Sequence, residues 1–175
     1  SGATTSGTNF RIYRPDGSLL TAPAAPTCFQ ASPSNPQGNC DGEFTTAEAG
    51  DYTMVAEPIL GYSAGFAVQL NSEVSGALAA DVPQGVSLGR VGQDARFTFA
   101  AAVGDSLAID LSGIVPQPHA QPFYAVVLRP NGSIHTSGNA VSPLYGLHLP
   151  LGTISTAGNY TVSVDPSYGA YGTAR

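Results

Sequence analysis

The sequence predicts an all-β fold, an antiparallel β-sandwich of jelly-roll-like or Ig-like type. Three observations point there. Apolar residues recur at every second position in several short segments, turn-forming pairs separate those segments, and no window carries an apolar stripe of helical period. The 21 Gly and 14 Pro supply the punctuation that many short strands require.

The segments can be taken in chain order. "DARFTFA" alternates Ala95, Phe97 and Phe99 with Arg96 and Thr98, and "DSLAIDLSG" alternates Leu107, Ile109 and Leu111 with Ala108, Asp110 and Ser112. "YGLHLPL" sets Leu147, Leu149 and Leu151 on one face, and "NYTVSVD" sets Tyr160, Val162 and Val164 opposite Thr161, Ser163 and Asp165. Such alternation marks antiparallel strands with one buried face. Asp16-Gly17, Gly104-Asp105, Asn131-Gly132 and Gly158-Asn159 mark turns.

The chain also repeats itself. "YRPDGSLLT" (Tyr13 to Thr21) matches "LRPNGSIHT" (Leu128 to Thr136) at an offset of 115, and "AGDYTMVAEP" (Ala49 to Pro58) matches "AGNYTVSVDP" (Ala157 to Pro166) at an offset of 108. The difference falls between the two blocks, where the first copy carries a cysteine loop that the second lacks. The expected organisation is a tandem repeat. Residues 1–71 form a partial repeat, incomplete at its N-terminus, and 72–175 a nearly complete one, as in a window cut from a longer array. The alternative is a fold unit that begins at another point. A partial repeat is expected to pack on the complete one or to borrow strands from another copy of the chain, because its strand edges would otherwise be open.

Composition narrows the function. Only 10% of residues are charged, the formal net charge is −6, and the six basic residues are all Arg. A dense basic footprint for nucleic acid or for an anionic membrane surface is therefore excluded. Without Lys, Lys–Asn isopeptide cross-links are excluded as well. No apolar run approaches the ~18 residues of a spanning helix, and the first residues do not resemble a secretory leader, so the expectation is mature, soluble protein. Cys28 and Cys40 bracket the Pro/Gly/Ser/Asn-rich loop of "TCFQASPSNPQGNCDG" without a metal-ligand pattern. A disulfide is expected, with two reduced thiols as the alternative. It would add about 3 kcal/mol through loop closure and would imply an oxidising, extracellular or cell-surface location.

"GQDARFTFAAAVGDSLAIDLSG", "VVLRPNGS" and "LPLGTISTAGNYTVSVDPSYGAYGTA" together resemble a β-sandwich repeat of large secreted bacterial proteins that carry RHS or YD repeats. They are also similar to the pre-peptidase C-terminal domains of secreted proteases. Gly92 to Phe99, Arg129 to Ser133 and Tyr160 to Pro166 carry the three parts of that pattern in order. A cysteine pair after the first turn fits the resemblance, and the second copy departs by lacking it. The resemblance implies an extracellular, non-enzymatic module and brings no catalytic or ligand residue with it.

Candidate chemistry is sparse. His119, His135 and His148 lack the spacing of a zinc site and are expected at the solvated surface. "GYSAG" around Ser63 formally matches a nucleophile motif, but it sits in a turn between strands rather than on a strand-to-helix elbow. Asp41 and Glu43 in "NCDGEF" are weak calcium candidates, without the ligand series of a dedicated loop; no other cofactor is expected. The sequons at Asn131 and Asn159 coincide with turns and need no sugar to explain them. Tyr62, Tyr168 and Tyr171 lie in Gly-rich loops and could stack on sugar rings, or pack across the turn or into a neighbouring repeat. The expected function is a non-catalytic spacer and interaction module that contacts neighbouring repeats or another copy of the chain. The alternative is a glycan-binding or adhesin module using those tyrosines.

Overall fold

The computed structural model describes residues 8–20, 27–29, 39–41, 44–58, 67–117, 121–140, 146–167 and 170–175. The chain divides into two compact units, Ser1–Gln69 and Leu70–Arg175. The named elements among the described residues are all β-strands.

In the first unit the strands are β1 (Thr8–Tyr13), β2 (Leu19–Leu20), β3 (Thr27–Phe29), β4 (Asn39–Asp41) and β5 (Thr53–Pro58). They form an antiparallel sheet in the order β2-β1-β5 and a separate β3-β4 ladder. In the second unit they are β6 (Val74–Ala77), β7 (Val86–Leu88), β8 (Ala95–Ala101), β9 (Ser106–Leu111), β10 (Val115–Gln117), β11 (Phe123–Leu128), β12 (Ile134–Ala140), β13 (Leu147–Thr153), β14 (Gly158–Pro166) and β15 (Tyr171–Ala174). These build a five-stranded sheet, β12-β11-β14-β8-β6, and two smaller sheets, β13-β9 and β10-β15-β7.

Alternation explains how the second unit closes. Phe97 of β8, Phe123, Ala125 and Val127 of β11, and Tyr160, Val162 and Val164 of β14 are all buried. They share one core with Leu111, Leu149 and Leu151 of the β13-β9 sheet and with Val86, Leu88 and Ala174 of the third sheet. The five-stranded sheet thus lays its apolar face on a second layer, and each fully buried Val, Leu or Phe adds roughly 1.5–3 kcal/mol. One pairing departs from the all-antiparallel expectation. β6 runs parallel to β8, with Val74 opposite Ala95 and Ala77 opposite Thr98. The long stretch from β6 to β8, which holds β7 in another sheet, provides the crossover that a parallel pair needs.

The two units share a local design. β1 pairs with β5 so that Tyr13 faces Thr53 and Thr8 faces Pro58. β11 pairs with β14 so that Leu128 faces Thr161 and Phe123 faces Pro166, the same register once the offsets are applied. The β1-β2 and β11-β12 hairpins close on the same turn. In one, the amide of Arg14 donates to Ser18 O and that of Gly17 to Arg14 O; in the other, Arg129 donates to Ser133 O and Gly132 to Arg129 O. Asp16 Oδ1 accepts the Ser18 amide at 2.8 Å, and Asn131 Oδ1 accepts the Ser133 amide at 3.0 Å. Gly17 (φ 79°) and Gly132 (φ 82°) hold the left-handed position that this turn demands. Four residues back from each tyrosine lies its acceptor: Tyr52 donates its hydroxyl to Glu48 O, and Tyr160 donates to Thr156 O, both at 3.0 Å. One strand edge differs. β14 takes β8 on its far side, whereas β5 ends its sheet among the described residues.

Candidate functional site

The layers of the second unit do not meet evenly. On one side β12 carries Gly138, where an added Cβ would stand 2.8 Å from Leu147 Cδ1 and 3.0 Å from Leu149 Cδ2. The absent side chain lets the β13 leucines rest on the β12 backbone. On the other side lie β6 and β9, and the inward residues of β9 short of Leu111, namely Leu107 and Ile109, are only half-buried. Between the layers on that side lies a cleft of about 620 Å³. Its floor is Phe97, Ala125, Val162 and Val164, and its roof is Leu107, Ile109, Leu111, Leu147 and Leu149. Ala125 is part of the reason for the room, since a methyl stands there between larger neighbours. Phe97 is fixed in turn by β6, where a Cβ on Gly76 would meet its ring at 3.2 Å.

The lining also includes charged residues. Asp81, Asp105 and Asp110 stand at the cleft with Arg175. Asp81 is the non-glycine residue at positive φ (61°) among those described, in the turn closed by the Ala79–Val82 bridge. Asp105 Oδ2 accepts the Ala102 amide at 2.8 Å, which fixes that turn. Asp110 accepts a hydrogen bond from His148 Nδ1 at 2.7 Å, across the β9-β13 ladder, with both side chains largely in solvent. Arg175 is anchored through its backbone, its amide and carbonyl pairing with those of Ser112. Among the described residues no group of three or more His, Cys, Asp or Glu could hold a metal ion.

The residues singled out from the sequence do not gather here. Tyr171 lies half-buried in β15, opposite Gln117 of β10. Tyr62, Tyr168, Ser63, His119 and Glu43 lie outside the described residues. Asp41 falls at the end of β4, and Cys28 and Cys40 face each other across the β3-β4 ladder. The expectation that the histidines are solvated holds for His148 and fails for His135. His135 is partly buried, with Nε2 2.8 Å from Leu151 O and its ring edge-on to Tyr160 at 5.7 Å. The pairing of β11 with β12 slips beside Leu128, passing from Leu128↔Ile134 to Val127↔Thr136, so His135 is an extra residue in the ladder. That bulge turns it towards the core, and alternation alone cannot register such a slip. Asn131 and Ser133 bond to each other within their turn, Ser133 Oγ to Asn131 Oδ1 at 2.8 Å, in accord with the turn role expected of Asn131.

The cleft was not legible in the sequence, because its residues come from seven segments that only tertiary packing brings together. The small residue at Ala125 and the glycine at 138, each within a strand pattern, were the available signal.

No protein-family profile matches the chain, and no curated protein matches it. Among solved structures, the chain is similar to the pre-peptidase C-terminal domain of a collagenase from Bacillus anthracis, at 14% identity and a TM-score of 0.39, over 62% of this chain and 95% of that one.

Proposed function

We propose that this chain is a non-catalytic structural and interaction segment of a secreted or surface-attached bacterial protein, made of a complete β unit preceded by a partial copy of it. The observation that carries this reading is the β2-β1-β5 ladder, which repeats the order, register, turn hydrogen bonds and tyrosine contact of β12-β11-β14. A design used twice in one chain, with its specific features in turns and ladders, suits a spacer whose work is mechanical. The far edge of β5 then offers its backbone groups to an antiparallel strand, as β14 offers its own to β8. A neighbouring repeat or another copy of the chain would supply that strand by β-augmentation.

The cysteine loop belongs to the same proposal. Cα atoms directly opposite in an antiparallel ladder lie about 4.5–5.5 Å apart, within the range a disulfide spans. The Cys28↔Cys40 register therefore favours a cross-strand bridge, and with it an oxidising compartment.

Sedimentation of the full chain over a wide concentration range tests the interaction role. Self-association is expected, and an excess of a peptide with the sequence of residues 94–101 should suppress it by occupying the same edge. A chain that stays monomeric at every concentration and ignores the peptide would sink the interaction role.

A further inference from the structure

We infer that the open edge of β5 selects one kind of partner, an unpaired extended segment written on the pattern of β8 but with a larger apolar residue at one position. The inference rests on the interaction role proposed above and names the strand that serves it. The second unit holds the template. On β14, Tyr160, Val162 and Val164 face Phe99, Phe97 and Ala95 of β8, and Ser163 faces Arg96. The rings of Phe99 and Tyr160 stack at 5.5 Å. At the offset of 108, the same places on and beside β5 belong to Tyr52, Met54, Ala56 and Val55. Among the described residues β5 ends its sheet, with Tyr52 half-buried and Met54 41% exposed. β8 itself is held between β14 and β6, so the occupant is a strand of this pattern that is free of a sheet of its own.

Each position on the edge selects what faces it. An aromatic ring opposite Tyr52 repeats the stack that Phe99 makes on Tyr160. Met54 stands where Val162 does, and its flexible thioether makes favourable contacts with a ring, so a Phe opposite it is retained. Ala56 stands where Val164 does, and the two missing methyl groups leave room that an Ala opposite does not fill. A Val there restores the summed volume of the Val164 and Ala95 pair. Charge selects on the other face. Arg11 of β1 pairs with Glu57 at 2.6 Å, from the side away from the open edge, and both side chains stay about half exposed. A basic residue opposite Val55 lies diagonal to Glu57 from the edge side, within reach of a long side chain. An acidic residue in that place would meet repulsion.

Fluorescence anisotropy of labelled peptides titrated with the full 175-residue chain tests the inference. The peptide with the sequence of residues 94–101 is expected to bind, and its Ala95→Val form to bind about threefold more tightly. Phe99→Ala in the peptide should weaken binding about fivefold. Arg96→Glu should weaken it about threefold. Against the Tyr52→Ala chain, the Phe99→Ala change should cost the peptide nothing further, because the ring it stacks on is already gone. Pairing as a strand has its own signature, since only alternate amides of an edge peptide donate to the sheet. N-methylation at positions 95, 97 and 99, or at 96, 98 and 100, should therefore abolish binding in one case and spare it in the other. If alternate methylation decides binding while the side-chain changes shift nothing, the open edge stands and its selectivity is overturned. Loss from both methylated peptides or from neither would overturn strand pairing at this edge. No binding by any peptide would overturn the open edge together with the partner inferred for it.

Discussion

The ladder β2-β1-β5 and the ladder β12-β11-β14 start from nearly the same words and end in different surroundings. Tyr160 is 1% exposed and Val162 2%, whereas Tyr52, which matches Tyr160, is half-buried and Met54, which matches Val162, is 41% exposed. Val127 is fully buried while its counterpart Ile12 is partly so. Turn chemistry and register are thus local properties that recur wherever the motif is written. Burial is not local. In the second unit β8 adds an edge and Phe99 stacks on Tyr160 at 5.5 Å, and the β13-β9 layer covers the rest. The same alternating strand therefore has two energetic meanings, depending on what lies over its apolar face.

The sharpest way to break this comparison is to truncate the matched tyrosines. Tyr160→Ala should cost about 3–5 kcal/mol of stability in denaturant unfolding, as expected for a large ring lost from a packed core. Tyr52→Ala should cost about 1 kcal/mol, the range of partly exposed sites. Equal losses would mean that Tyr52 is as deeply packed in solution as Tyr160, and the contrast would vanish.

Next in size is the cysteine loop, which the second unit lacks. Under the proposed bridge, the oxidised chain should weigh less than the reduced one by two hydrogens. Reduction should lower the stability of the first unit by about 3 kcal/mol and leave the second unchanged. Two titratable thiols in the untreated, unfolded chain would remove the bridge from the account.

The smallest effect separates the two turns. Ser18 hydrogen-bonds the Asp16 carboxylate, with its side chain first and its amide second, and holds the carboxyl below its ordinary value of 3.8. A lowered carboxyl adds stability above its unfolded value and loses it as pH falls through the folded value. The first turn should therefore weaken only on strong acidification, below about pH 4, while the Asn131 turn does not respond. Amide shifts of Gly17 and Gly132, followed by NMR from neutral to acid pH, check this. Asp16→Asn should make the first turn as indifferent to acid as the second.

Much of the fold is written in short-range patterns. Phe97, Leu149 and Val162 face inward as their alternation predicts. The Asp-Gly and Asn-Gly turns close as their residue types require, because glycine reaches positive φ without a steric penalty and the side-chain oxygen satisfies an amide two residues on. These features depend on a few bonds within one hairpin, so the sequence by itself determined them. Three others were decided only by the tertiary structure. β6 joins β8 in parallel, His135 turns towards the core through a bulge, and residues far apart in the chain line one cleft. Each depends on which strands become neighbours and on how closely two layers approach. That closeness is set by side-chain volumes on opposite layers, such as the missing one at Gly138 against Leu147 and Leu149, and no single segment encodes both sides of such a contact.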